Sequence, residues 1–162
     1  MNKPNEEFLS DIAKQFKIAQ NIPTQDHLRI LKKLEKINGE KLCLIFNYFL
    51  TLETNPEVLI YIVKTLSKIQ NNLTVEILSD MLLSYKTENN DILSKLKCEI
   101  ANTLGLSKNS SCVLPLLYVL NNKNENYKLR LACAEALGRI GSSYAVTPLI
   151  DVVTDDEEKS LR

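Results

Sequence analysis

Apolar residues along this chain fall at helical spacing between short polar joints. From residue 129 onward, Leu129, Cys133, Ala136, Leu137 and Ile140 make one stripe; after Gly141-Ser142-Ser143 come Val146, Leu149, Val152 and Val153. Apolar positions three and four apart, in segments of about 12–16 residues without period-two alternation, predict helices rather than strands. The joints are rich in asparagine, as in Asn71-Asn72, Asn89-Asn90 and Asn121-Asn122-Lys123-Asn124. Asparagine is a weak helix-interior residue and a good cap, because its short side chain competes for backbone groups. A glycine closing each first helix fits a left-handed stop. Pro115 and Pro148 fall in the first turn of the second helices, where a missing N–H costs little. The unit is helix, tight turn, helix, and Val146, Leu149, Val152 and Val153 are expected on the buried side of the last second helix.

The pattern repeats. Lys95-Leu96-Lys97, Leu104-Gly105 and Pro115-Leu116 return 33 residues later as Lys128-Leu129-Arg130, Leu137-Gly138 and Pro148-Leu149. Ser160-Leu161-Arg162 opens a further copy. A fixed period of this size marks a solenoid, in which each unit buries its apolar face by stacking on neighbours. Backwards the repeat loosens: Val58, Ile62, Val63 and Leu66 match Leu96, Ile100, Ala101 and Leu104 at an offset of 38. Leu28 to Ile37 and Leu42 to Leu52 form an earlier pair. The expectation is one all-α domain over 1–162, with a capping helix at 5–20, helical pairs at 24–53, 55–86, 90–121 and 124–154, and an incomplete repeat at 156–162. That last piece suggests a longer array.

Charge and composition narrow the function classes. Twenty basic and twenty acidic residues cancel, so no global field draws in nucleic acid or an acidic membrane. The N-terminus lacks the basic start and apolar run of a secretory signal, and no stretch is apolar enough to span a bilayer. Cys43, Cys98, Cys112 and Cys133 show no metal-ligand spacing, which suits reduced core residues and a cytoplasmic chain. His27 is the only histidine, and its polar surroundings near a helix start suggest a solvated or capping role. With no phosphate loop and no nucleophile elbow, neither enzyme chemistry nor a cofactor or metal is expected.

Residues 129–141 (Leu-Arg-Leu-Ala-Cys-Ala-Glu-Ala-Leu-Gly-Arg-Ile-Gly), followed by Ala145-Val146-Thr147-Pro148-Leu149-Ile150, resemble the HEAT-repeat superfamily, and most of all the short HEAT-like repeat named after phycobilisome lyases. The resemblance is specific over about residues 91–162 and topological before that. It implies a right-handed α-α superhelix whose second helices line a concave face. Some relatives handle bilin chromophores on antenna proteins and many are scaffolds or adaptors, so the motif reports fold rather than chemistry.

Two surfaces and one ladder carry the functional expectations. Opposite the buried side of the second helices lie Thr147 and Asp151, then Leu114 and Tyr118, Glu76 and Asp80, and Leu44 and Tyr48. Such a face suits a protein or peptide with apolar and basic features, since tyrosine gives contact area at low entropy cost; the tyrosines equally fit side chains lying over their own repeats. Arg29, Lys32, Lys33 and Lys36 are spaced to share one face of the earliest first helix. That stripe allows weak nucleic-acid contact or an ordinary solvated surface. Asp91, Asn124 and Asp156 each precede Lys97, Arg130 and Arg162 by six residues. The first set is expected to cap helices, and the second to reach a neighbouring repeat's carboxylate. The leading expectation is a non-enzymatic interaction scaffold without membrane partners, with a bilin-handling component as the alternative.

Overall fold

The computed structural model describes residues 11, 14, 23–69, 71–85, 90–150 and 154. Its helices are α1 (Thr24–Leu34), α2 (Gly39–Leu52), α3 (Pro56–Leu66), α4 (Asn72–Ser84), α5 (Asp91–Ser107), α6 (Val113–Asn121) and α7 (Tyr127–Ile140). Residues 146–150 are also helical, and short 3-10 turns at Ser110–Cys112 and Ser143–Ala145 lead into the second helices of the last two pairs. No strand occurs among the described residues; the fold is all-α, as the repeat predicts. The expected capping helix lies outside the described residues except for Asp11 and Lys14, both helical.

Asparagine starts most helices. The side chains of Asn38, Asn55, Asn90 and Asn126 accept backbone N–H groups of Glu40, Glu57, Leu93 and Lys128, and Pro56 follows Asn55 at the first helical position. These contacts satisfy donors that have no partner inside the helix. Asn90 and Asn126 therefore do what was expected of Asp91 and Asn124: Asp91 is the first residue of α5, and Asn124 donates its N–H to Asn122 Oδ1. Gly141 ends α7 at φ 69°, in the left-handed region. No such glycine closes α5, since Gly105 lies inside that helix and Lys108 takes the left-handed position at φ 52°.

The chain forms two compact units, Met1–Ile77 and Leu78–Arg162, divided within α4. In the first, α3 packs on α1 and α2. Leu31, Phe46, Phe49, Leu59 and Ile62 are fully buried, each burial contributing about 1.5–3 kcal/mol before conformational entropy is subtracted. Phe46 and Phe49 stack with ring centroids 6.1 Å apart. Polar links between successive pairs fix the stacking. Thr74 donates to Asn47 Oδ1 at 2.9 Å in a buried contact, Asn55 Nδ2 donates to Thr24 Oγ1 at 3.1 Å, and the Tyr61 hydroxyl donates to Glu35.

In the second unit α7 packs along α5 and against α6. The stripe read from the sequence forms its core: Leu129, Cys133, Ala136 and Leu137 are buried, with Leu96, Ile100, Ala101 and Leu104 facing them from α5. A buried cation tethers each preceding helix end. Lys97 Nζ donates to the Tyr85 carbonyl at 3.1 Å and to Glu125 Oε1 at 2.5 Å, the neighbouring carboxylate expected for it. Arg130 departs from that expectation, because its Nε donates to the Leu120 carbonyl at 2.9 Å. A cation at a helix C-terminus satisfies an orphan carbonyl and meets the negative end of the helix dipole.

Candidate partner-binding face

The exposed second-helix surface is best defined on α6. Asn109 starts its 3-10 entry by accepting the Ser111 N–H at 3.0 Å, and Pro115 sits in the first turn. Leu116, Val119 and Leu120 then turn inward, leaving Leu114 and Tyr118 outward at 76% and 69% exposure. Four residues apart, these two side chains share one ridge of the helix. A single exposed leucine is ordinary; Leu114 and Tyr118 together present an apolar ridge over a helix whose inner face is core.

The other residues expected to face outward are described within each unit by itself. In the second unit Asp80 on α4 and Thr147 are exposed. In the first unit Glu76 is exposed, whereas Leu44 and Tyr48 on α2 are half-buried. Asp151 lies outside the described residues, as do Asp156 and Arg162. Val146, expected inside, is 53% exposed. Sequence reasoning also passed over Tyr144, the most exposed large apolar side chain described at 82%; its place among small turn residues carries no periodic signal.

Three cations of the basic stripe lie on α1 and the fourth in the turn that follows it. Arg29, Lys32 and Lys33 are exposed on α1, but the helix ends at Leu34 and leaves Lys36 in the following turn. Arg29 Nη1 also donates to Asp26 Oδ1 at 3.3 Å. Lys36 is exposed as well, and its N–H donates to the Lys33 carbonyl at 3.4 Å.

His27 is not solvated. Only 3% exposed on α1, it places Nδ1 3.7 Å from Glu53 Oε2, while Glu53 Oε1 accepts the Thr54 and Asn55 N–H groups at 2.7 Å. Burial pulls the imidazole below its ordinary 6.5, and the Glu53 carboxylate opposes part of that shift. The buried imidazole thus lies against Glu53, whose carboxylate is held in the joint between successive helical pairs. Burial likewise pushes Cys98 and Cys112 up and Cys133 to about 12, which disfavours the reactive thiolate. No cluster of three or more His, Cys, Asp or Glu suited to a metal occurs among the described residues. No helix among them is long and apolar enough to cross a membrane.

Comparison with known proteins agrees with the repeat. The family model described as HEAT repeats matches residues 89–162. No curated protein matches the chain.

Proposed function

We propose that this chain is a non-enzymatic interaction scaffold, built on the HEAT-type repeat of residues 89–162, which captures a protein or peptide on the outward face of its second helices. The observation that carries this reading is the Leu114–Tyr118 ridge, 76% and 69% exposed on a helix whose other side is core. HEAT repeats are commonly interaction scaffolds, and an apolar ridge bearing tyrosine has the composition of an interface hot spot. The exposed carboxylate of Asp80 favours a partner that combines apolar anchors with basic residues.

The test is affinity capture with the intact chain, comparing wild type with a Leu114→Asp/Tyr118→Ala variant. The proposal expects specific partners, identified by mass spectrometry, to be lost from the variant while its circular dichroism and melting temperature stay at wild-type values. Capture that is unchanged in the folded variant sinks the assignment of this face.

A further inference from the structure

Charge is sorted between the first and second helices of the second unit. Among its described residues, every helical lysine and arginine lies on a first helix: Lys95 and Lys97 on α5, and Lys128, Arg130 and Arg139 on α7. The second-helix segments, α4 from Leu78 onward, α6 and residues 146–150, contain none. Their one acidic residue is Asp80, exposed on α4 in register with Tyr118, 38 residues later. Leu83, on the next turn of α4, is 45% exposed, and its counterpart Asn121 is exposed at the end of α6. The outward positions of α4 and α6 in this unit thus hold Leu83, Leu114 and Tyr118, with the Asp80 carboxylate, the Ser84 hydroxyl and the Asn121 amide, and no cation.

We infer that the occupant of the Leu114–Tyr118 ridge is a basic amphipathic α-helix, an inference that rests on that ridge being the partner face. Its apolar stripe lies on Leu114 and Tyr118, and a flanking Lys or Arg meets Asp80. Charge sets the sign, because a basic segment finds a carboxylate and no like charge on these second helices, whereas an acidic segment finds only repulsion. The helical form follows from backbone groups. An extended segment carries N–H and C=O groups along its whole length, and any surface that covers them has to supply partners. No strand edge occurs among the described residues, and polar side chains on this surface are few. Ser84 Oγ already donates to the Asp80 carbonyl at 2.7 Å, Leu114 offers nothing, and Tyr118 offers only its hydroxyl. A helix brings its backbone hydrogen bonds with it and needs from the surface mainly apolar contact. The dimensions agree as well: residues four apart on α6 are separated by about 6 Å along its axis, the spacing of an i, i+4 apolar pair on a second helix.

The test titrates the full chain into dye-labelled synthetic peptides of about 18 residues, long enough to form a helix, and reads fluorescence anisotropy at low salt. One peptide is built of leucine and lysine, with leucine at i, i+3, i+4 and i+7; the second has glutamate for every lysine; the third is the first with two central prolines, which break the helix. The Leu/Lys peptide should bind about fivefold tighter than the Leu/Glu peptide and at least about tenfold tighter than the proline peptide. Asp80→Lys should abolish or invert the charge preference. Leu114→Ser/Tyr118→Ala should weaken the Leu/Lys peptide by about tenfold or more while the circular dichroism of the chain stays at its wild-type value. The inference is overturned if the Leu/Lys peptide does not bind, if the Leu/Glu peptide binds as tightly, or if Asp80→Lys leaves the preference intact. Equal or tighter binding of the proline peptide also overturns it, in favour of an extended occupant. Binding that keeps its dependence on Leu114 and Tyr118 but shows no preference for charge or helix removes this occupant and leaves the face in place. Binding indifferent to Leu114→Ser/Tyr118→Ala removes the face itself.

Discussion

A Cβ placed on Gly105 would fall 2.7 Å from Ala136 Cα and 2.9 Å from Ala136 Cβ, so α5 and α7 meet here at backbone distance. Thirty-three residues later Gly138 occupies the same register with open space around it. Both glycines are helical, and the same substitution should therefore act in opposite directions. Gly138→Ala should stabilise by about 0.5–1 kcal/mol, the ordinary helix-propensity gain. At Gly105 that gain is outweighed by overpacking of about 1–3 kcal/mol, because the obstructing atoms belong to a neighbouring backbone. Urea unfolding of the two single variants checks the signs; equal effects would show that the contact does not set the spacing of these helices.

His27 predicts a specific acid sensitivity. Burial lowers its folded-state pKa below the ordinary 6.5, with Glu53 opposing part of the shift. The unfolded chain then takes up the proton more readily than the folded one. The neutral-His contribution is fully present above about pH 6.5 and is lost as pH falls through that value toward the lower folded pKa. His27→Gln should flatten the fall in stability between about pH 7.5 and pH 5.5, measured by chemical unfolding at both pH values. An unaltered slope would place the acid-sensitive group elsewhere.

The parts of this fold legible in the sequence are those set by local periodicity. Leu129, Cys133, Ala136 and Leu137 could be placed in the core because a 3.6-residue period identifies the apolar side of a helix. The outward direction of Leu114 and Tyr118 followed from the same geometry. Val146 shows the limit, since periodicity tells which side is apolar but not whether a neighbour covers it. The caps were displaced by one or two residues, to Asn90 and Asn126, because asparagine-rich joints offer several competent caps in succession. His27 was misread for a different reason. Its environment is made by Glu53, 26 residues away, and by the packing of the next helical pair, which its polar sequence neighbours do not reveal.

Lys97 tests how much of the stacking depends on a buried ion pair rather than on apolar area. It is 1% exposed, and its ammonium links the carbonyl of Tyr85, after α4, to Glu125 in the joint before α7. Lys97→Met keeps the volume but removes the cation from a carboxylate whose side chain is only 13% exposed. The expected loss is about 2–4 kcal/mol, arising mainly from the carboxylate left in a poorly solvated position. Glu125→Leu alone should cost a similar amount by stranding the ammonium, which is the more deeply buried partner. The double variant should recover much of the sum, since an apolar pair of similar volume often replaces a buried ion pair at little net cost. A double-mutant cycle in urea therefore expects strong coupling between the two positions. Additive losses would mean that Lys97 stabilises the stack through its methylene packing and the Tyr85 carbonyl, with Glu125 a bystander at the joint.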